Sequence, residues 1–262
     1  MTTTSRIEWT EQTWNPTVGC TKISAGCKNC YAENMARRLQ AMGTPGYENG
    51  FQLTLLPQRL QDPLNRKKPT TYFVNSMSDL FHDKVPDEYI EQVFSVIEQT
   101  PQHTYQILTK RAARMARFFK GKTAPKNAWM GVSVENKKHG VPRINYLRKV
   151  SAHIRFLSVE PLLEDVGALD LTDIHWVIVG GESGPKARPR ATGPWPKPAN
   201  QTNVSWFLSG SATATKAMDS ICLKQADQFK IRLRRSGIGV EASQCKTSCT
   251  RTPWCFSRRS FS

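Results

Sequence analysis

Short apolar runs recur along the first 182 positions of the chain and alternate with stretches of amphipathic pattern. The runs contain many β-branched and aromatic residues, which is typical of buried strands. Between them, apolar residues recur at helical spacing, most clearly over residues 87–99, where Pro86 precedes the first turn. Strands that alternate with helices predict right-handed crossovers and therefore a parallel α/β sheet.

The pattern predicts about six βα units, if a first strand before Cys20 is counted. The five later strands are predicted over residues 71–75, 105–108, 128–134, 153–159 and 174–179. The helices are predicted over residues 31–42, 87–99, 111–120 and about 141–150.

Three cysteines, Cys20, Cys27 and Cys30, lie within eleven residues. A CxxC pair can bind one metal or cluster edge, and a third cysteine on a short glycine-bearing loop can fold back onto it. The next His or Cys is His82, so no second ligand pair follows. Three thiolates without a fourth ligand favour a [4Fe–4S] cluster with one iron free, the arrangement of radical S-adenosylmethionine (SAM) enzymes. A zinc site completed by a distant histidine is the alternative.

Charged and polar neighbours make this loop hydrophilic, and Lys22 and Lys28 are expected to lower the pKa of its thiols. Polar residues also follow each predicted strand. Parallel α/β folds place their chemistry beyond the carboxyl ends of the strands, and the cysteine loop opens onto that same end. Several of these polar residues are expected to line one pocket: Asn75, Ser76, Asp79, Thr109, Lys110, Ser133, Glu135, Asn136, Ser158, Glu160, Glu182 and Ser183.

Separated motifs in the chain resemble those of the phage gp thirty-seven/gp sixty-eight family, a group of unknown function with a three-cysteine motif. They occupy residues 9–20, 26–33, 73–82, 108–111, 131–136, 158–163 and 180–184. The resemblance covers roughly residues 5–189. That family is similar to radical-SAM enzymes, including the spore photoproduct lyase branch. The resemblance implies an α/β fold, a partial (β/α)6 TIM-like barrel, with a cluster held by Cys20, Cys27 and Cys30.

The resemblance also implies a second cofactor, SAM, held by the polar strand ends. Ser133 and Glu135 are the first candidates, the Glu for the ribose hydroxyls or the amino group and the Ser for a hydrogen bond. A salt bridge is the alternative role for Glu135. Candidates for the remaining SAM or substrate contacts are Asn75, Asp79, Lys110, Glu160 and Glu182. Three aromatic residues are expected to pack around the cluster: Trp9, Trp14 and Tyr31. Six residues separate Cys20 from Cys27, where ordinary radical-SAM enzymes have three.

Beyond Pro189 the resemblance ends, which predicts a barrel over residues 1–189 and an atypical, poorly ordered tail over 190–262. The tail is rich in Ser, Thr and Arg and holds only three acidic residues, a composition that cannot readily bury a core. A change of reading frame near codon 190 is our hypothesis for its origin. Its Cys245, Cys249 and Cys255 are read as chance residues, with a second metal site as the alternative.

The net charge of +16 invites a nucleic-acid interpretation, but the tail alone contributes 12 Lys and Arg against three acidic residues. Binding to nucleic acid is therefore not supported by the charge distribution, although it stays open. No apolar run is long enough to span a membrane and no signal peptide is evident, which predicts a cytoplasmic protein.

Two classes of function follow from the sequence. The first is a radical-SAM-type enzyme that acts through a 5′-deoxyadenosyl radical on an unknown substrate, a nucleic acid or a phage-encoded partner protein. The second is a non-catalytic iron–sulfur or zinc protein that uses the fold as a scaffold. A DNA-binding protein inferred from charge alone is the weaker third.

Overall fold

The computed structural model describes residues 3–5, 7–182 and 186–189, and four short strands further along the chain. The helices are α1 (Tyr31–Ala41), α2 (Asp87–Gln99), α3 (Ala112–Phe118) and α4 (Val141–Arg148). The strands are β1 (Thr3–Thr4), β2 (Gln12–Trp14), β3 (Thr17–Val18), β4 (Thr54–Leu55), β5 (Thr71–Val74), β6 (Thr104–Thr109), β7 (Ala128–Ser133), β8 (Ile154–Val159), β9 (Ala168–Leu169), β10 (Trp176–Val179), β11 (Lys197–Pro198), β12 (Ser205–Leu208), β13 (Leu233–Arg235) and β14 (Ile238–Val240).

The main sheet of the described residues has the strand order β1-β2-β5-β6-β7-β8-β10-β12. Every pair from β2 to β12 is parallel, and only β1 joins its neighbour in the antiparallel sense. The strands of this sheet follow one another in the same order in space and along the chain, as they do in a (β/α) barrel. In a doubly wound sheet, by contrast, the strand order reverses partway. The predicted α/β fold of partial-barrel type is confirmed.

Helices cover the outer face of this sheet because their apolar residues recur on one side. In α2, Asp87 and Glu88 occupy the first turn, where carboxylates complement the helix dipole, and Ile90, Val93 and Ile97 are buried. The four predicted helices are present, with ends that differ by at most a few residues from the predicted ones. The described connection from β8 to β10 differs from the predicted pattern, since it contains the two-residue strand β9 and no helix.

Alternation along the strands separates two apolar regions. In β7, Met130 and Val132 join the large core under the helices, while Trp129 and Gly131 face the other side. A side chain at Gly131 would place its Cβ 2.4 Å from the ring of Phe156, so only glycine fits there. The inner face is thus tightly packed at this level of the sheet.

Aromatic rings occupy the inner face near the amino ends of the strands. Trp9, just before β2, contacts Phe73 with ring centroids 4.7 Å apart and Trp176 of β10 at 6.0 Å. Trp176 in turn contacts Trp129 at 5.9 Å and Phe156 at 5.5 Å. Since β2 and β10 are separated by four strands in the sheet order, contact between Trp9 and Trp176 requires the sheet to curve toward a barrel.

The sheet continues beyond the predicted domain boundary at residue 189. Strand β12 pairs in parallel with β10, from Trp176 opposite Ser205 to Val179 opposite Leu208. The boundary itself stays a prediction, and most of the predicted tail, including Cys245, Cys249 and Cys255, lies outside the described residues. Within the described part of the chain, no helix is both long and apolar enough to cross a membrane.

Candidate functional site

The cysteine loop begins where the chain leaves β3. Gly19 has φ +81°, and a Cβ at this position would lie 2.1 Å from the carbonyl oxygen of Gln52, so the turn requires glycine. The Gly19 amide donates to the Met77 carbonyl at 3.0 Å, and the Cys20 amide donates to that of Phe51 at 3.1 Å. The loop is therefore anchored beside the carboxyl end of β5, as the sequence predicted.

All three cysteines of the loop are free and partly exposed. Cys27 lies in a single 3₁₀ turn, and Cys30 directly precedes α1. Among the described residues, no three His, Cys, Asp or Glu side chains are grouped closely enough to hold a metal ion. Joint ligation by the three thiols would therefore require their side chains to converge.

Burial, reinforced by the negative charge of Asp79, raises the pKa of the Cys20 thiol to about 11, although Arg111 opposes the shift. The expectation that nearby lysines lower the thiol pKa is thus wrong at Cys20. The ammonium of Lys22 is paired with Glu33 at 2.7 Å, so its charge is already balanced within the loop. Burial favours the neutral thiol, and at Cys20 it outweighs the opposing guanidinium of Arg111.

Arg111, just after β6, connects the sheet to the start of the cysteine loop. Its Nη1 donates to Cys20 Sγ and to Asp79 Oδ2, each at 3.4 Å. Its Nη2 donates to the Thr21 carbonyl at 3.1 Å and to Thr21 Oγ1 at 2.8 Å. Arg111 is only 7% exposed, so this buried guanidinium fixes the position of two consecutive loop residues.

Asp79 orients Arg111 and is itself held by the end of β6. Its Oδ1 accepts from Thr109 Oγ1 at 2.7 Å and from the Phe81 amide at 3.0 Å, while its Oδ2 accepts from the Lys110 amide at 3.0 Å. Asp79 was predicted as a SAM or substrate contact. That role stays a prediction, and the structure shows Asp79 bonded to protein groups beneath the loop.

His82 lies on the other side of Thr21. Its Nε2 is 2.9 Å from Thr21 Oγ1, and its Nδ1 accepts from the Lys84 amide at 3.2 Å, so Nε2 carries the proton in this arrangement. Burial and then the positive charge of Arg111 lower the pKa of His82. A neutral imidazole is therefore buried next to Thr21, the residue after the first cysteine.

Lys110 and Ser133 meet on the inner face of the sheet, where Lys110 Nζ donates to Ser133 Oγ at 3.2 Å. Asn75 lies at the end of β5, with its Nδ2 donating to Thr17 Oγ1 at 2.6 Å. The Asn75 Oδ1 atom is buried and has no hydrogen-bond partner among the described residues. Such an atom is an acceptor available to a donor group of a ligand.

Glu135 lies at the end of β7, directly beneath the cysteine loop. Its fully buried carboxylate is paired with Arg143 of α4 through contacts of 2.5 Å and 3.2 Å. A Cβ added at Gly26 would lie 3.1 Å from Glu135 Cγ, so the loop backbone rests on this side chain. Burial raises the pKa of Glu135, but its bonds with Arg143 and Ser24 outweigh burial and lower the pKa overall.

Glu182, at the end of β10, holds the opposite side of the loop. It is paired with Arg188 at 2.5 Å and accepts from Asn29 Nδ2 at 2.9 Å. Arg188 Nη2 also donates to the Ala25 carbonyl at 2.9 Å. The hydrogen bonds from Arg188 lower the pKa of Glu182 to about 2.

The structure places three of the predicted site residues, Asp79, Glu135 and Glu182, against the cysteine loop or Arg111. Ser183 lies outside the described residues. Glu160 directly follows β8, and its Oε2 accepts from Ser158 Oγ at 3.0 Å. The expectation for the aromatic residues is wrong at two positions. Trp9 lies in the aromatic cluster at the amino ends of the strands, and Trp14 is buried, with its indole N–H donating to the Arg59 carbonyl at 2.7 Å.

Sequence reasoning missed three arginines that position the loop: Arg111, Arg143 and Arg188. Arg111 lies in one of the motifs that carry the family resemblance, residues 108–111. It was not predicted to be a site residue, because basic residues are common in the surface loops that follow strands. Arg143 lies ten residues beyond Ser133 on a separate helix, and only the fold places it against Glu135. An unpaired buried carboxylate at the end of a strand would have indicated the need for such a cation.

The chemistry of the donor set fits a thiolate-bound cluster. Three unpaired thiols lie on one loop, held at its start, middle and end by side chains from the ends of β6, β7 and β10. Arg111 places a positive charge beside Cys20, which suits a sulfur ligand that carries negative charge.

A family model described as a protein of unknown function (DUF5131) matches residues 4–207. No curated protein matches the sequence.

Among solved structures, a spore photoproduct lyase mutant with bound AdoMet and dinucleoside spore photoproduct is similar at 13% identity and a TM-score of 0.45. The similarity covers 70% of this chain and 59% of that chain. Spore photoproduct lyase complexed with dinucleoside spore photoproduct is similar at 14% identity and a TM-score of 0.44, covering 69% and 58%. The chain thus spans less than two thirds of those structures.

Proposed function

We propose that this chain, which belongs to the DUF5131 family of proteins of unknown function, is an iron–sulfur protein and an enzyme of radical-SAM type. In this proposal Cys20, Cys27 and Cys30 hold a [4Fe–4S] cluster, and the inner face of the sheet holds SAM. When bound, the cluster supplies the electron for reductive cleavage of the SAM sulfonium. The observation that carries the proposal is the seating of the cysteine loop on the carboxyl ends of a sequentially ordered parallel sheet.

The groups beside the loop match the charges of SAM. Lys110 offers an ammonium to the SAM carboxylate, and Ser133 orients that ammonium through its hydroxyl. The unpartnered Asn75 Oδ1 and the carboxylate of Glu160 are acceptors for the amino group or the adenine amine. Glu135 and Asp79 are already hydrogen-bonded to protein groups, and we assign them the role of holding the loop and Arg111.

SAM cleavage tests the enzymatic part of the proposal. Anaerobically reconstituted protein with dithionite should convert SAM to 5′-deoxyadenosine, and SAM should perturb the electron paramagnetic resonance signal of the reduced cluster. Lys110→Met should weaken the perturbation at subsaturating SAM without loss of iron, because it removes only the carboxylate contact. Lys68→Met, an exposed substitution elsewhere, is the matched control. An unchanged spectrum at saturating SAM would contradict SAM binding.

A zinc-binding scaffold is the second candidate, and the position of His82 favours it. The His82 imidazole lies 2.9 Å from Thr21, the residue after Cys20, and could complete a Cys₃His set. In that case purified protein should contain zinc without iron, and His82→Ala should remove the metal. A cluster held by the three cysteines would survive that substitution.

The substrate, an association with phage, and the cytoplasmic location remain predictions. The predicted partners, nucleic acid or a phage-encoded protein, are likewise untested. Conversion of SAM in the absence of any added substrate would establish the reaction type before the substrate is known.

A further inference from the structure

Positive charge within the barrel is concentrated in one segment, residues 110–155. This segment contains 13 Lys and Arg and one acidic residue, Glu135, a net charge of +12. The rest of residues 1–189 contains 12 Lys and Arg and 17 Asp and Glu. The modest charge of the first 189 residues therefore conceals one strongly basic segment, which includes α3, α4 and the loops that follow them. Three of its cations, Lys110, Arg111 and Arg143, belong to the cysteine site.

A groove of about 610 Å³ lies within this segment, between the carboxyl-terminal parts of α3 and α4. Four cations, Arg117, Lys120, Lys122 and Lys149, line it together with Tyr146. All five residues are exposed. Tyr146, at 39% exposure, is one of four large hydrophobic side chains that are exposed among the described residues. None of the described residues that line the groove is acidic.

Most of these cations are available to a partner. Lys122 is paired with Glu91 at 2.7 Å, but Arg117, Lys120 and Lys149 have no carboxylate partner within the described part of the chain. The Lys149 ammonium lies 5.3 Å from the centre of the Tyr146 ring, which places charge and aromatic face side by side. The helix dipole accounts for one cation near the carboxyl end of a helix. Three cations between residues 117 and 122 are more than the dipole of α3 accounts for.

The groove is distinct from the cysteine site. Thr123 and Ser151, which line it, form a bridge just before β7 and β8, at the amino ends of the strands. The cysteine loop rests on the opposite, carboxyl ends. A molecule bound in the groove would therefore dock the protein without entering the proposed SAM site, and this inference does not depend on the proposed function.

We propose that this groove binds single-stranded nucleic acid. Clustered Lys and Arg attract phosphates, and an exposed aromatic ring offers a stacking platform to an unpaired base. A duplex could use the cations but not the ring, because its bases are already stacked. An anionic membrane fits less well, since interfacial binding needs apolar side chains on the basic face, and Tyr146 is the groove's only exposed aromatic residue in the described part of the chain.

Fluorescence anisotropy with labelled single-stranded DNA and RNA tests the proposal on the full chain. The triple variant Arg117→Gln, Lys120→Gln, Lys149→Gln should bind about tenfold or more weakly at physiological salt, and its salt slope should fall by about 2, because each lost phosphate contact contributes roughly 0.7. The control variant Arg38→Gln, Lys67→Gln, Lys68→Gln removes the same charge at exposed positions elsewhere and should bind as the parent does. Equal losses in both variants would overturn the proposal by assigning the binding to overall charge.

Tyr146 provides an independent measurement. Tyr146→Leu should weaken single-strand binding about fivefold or more without changing the salt slope, and Tyr146→Trp should restore it, because stacking depends on the ring and not on charge. Circular dichroism on each variant checks that the fold is retained. Three results would overturn the proposal: no binding by the parent protein, a preference for duplex with no effect of Tyr146→Leu, or loss of binding only to phosphatidylserine vesicles in the triple variant.

Discussion

Single residues explain why the cysteine loop takes one position. Arg111 binds Cys20 Sγ and both oxygens of Thr21, and Asp79 holds its guanidinium from below. At this scale the sequence predicted polar residues at the strand ends, and Ser133, Glu135 and Glu160 do lie at or just beyond the ends of β7 and β8. It did not predict the pairs, since Arg111 and Arg143 come from segments whose positions depend on the whole fold.

Replacement of Arg111 should loosen the loop at its start. Arg111→Ala should speed chelator-driven release of iron from reconstituted protein by about tenfold, the order expected when a group that orients a metal ligand is lost. Arg111→Lys should restore only part of the effect, because an ammonium cannot bond Cys20 and Thr21 together. Arg117→Ala, at an exposed position on α3, is the control. Equal release rates in all three variants would exclude a positioning role for Arg111.

The helices and strands position the cysteine loop through the residues at their ends. The amphipathic periods predicted α1 to α4 closely because each helix buries residues on one side, those of α1 in a smaller cluster with Val18 and Met77. The pairing of β3 with β4 and the strand β1 were missed, since two-residue strands leave no periodic pattern. The connection from β8 to β10 lacks the helix that alternation implies, and residues 160–175 there contain one proline, one glycine and five acidic residues in place of a helical period.

The turn at Gly19 sets the path of the loop away from β3. Gly19→Ala should lower the free energy of unfolding by more than about 1 kcal/mol and reduce iron loading, because a Cβ there meets the Gln52 carbonyl in a backbone conformation that suits glycine. Gly43→Ala is a matched control, with φ +63° and no heavy atom within 4 Å of the added Cβ. Denaturant unfolding and iron analysis compare the two. A similarly small loss of unfolding free energy in both variants would mean that the Gln52 carbonyl does not make glycine necessary at position 19.

The clamp between Glu182 and the loop should depend on pH. The pKa of Glu182 is lowered to about 2 from an ordinary value of 4.5, so its contribution to stability is present above about pH 4.5 and is lost as the pH falls toward 2. Urea midpoints measured from pH 6 to pH 3 should therefore fall more steeply for the parent protein than for Glu182→Gln. Parallel curves would show that the Glu182–Arg188 pair does not stabilise the fold.

At the scale of the molecule, the chain is a curved, sequentially ordered sheet with the proposed site at one end and the cationic groove at the other. The sequence predicted the sheet because five apolar strands alternate with helices, and it predicted the end that carries the site. It could not reveal that β12 continues the sheet beyond residue 189, because Ser205–Leu208 lies in a region without periodic pattern. Nor did total charge reveal the groove of α3 and α4, which depends on how residues 110–155 fold.

The metal content of the protein tests the central claim most directly. Anaerobic reconstitution should load about four irons per chain, as a [4Fe–4S] cluster requires, and give broad visible absorption. Cys20→Ala, Cys27→Ala and Cys30→Ala should each abolish the loading, whereas Cys245→Ala, Cys249→Ala and Cys255→Ala should leave it unchanged. Zinc in place of iron, or equal losses from the two sets of cysteines, would contradict a cluster held over the strand ends by Cys20, Cys27 and Cys30.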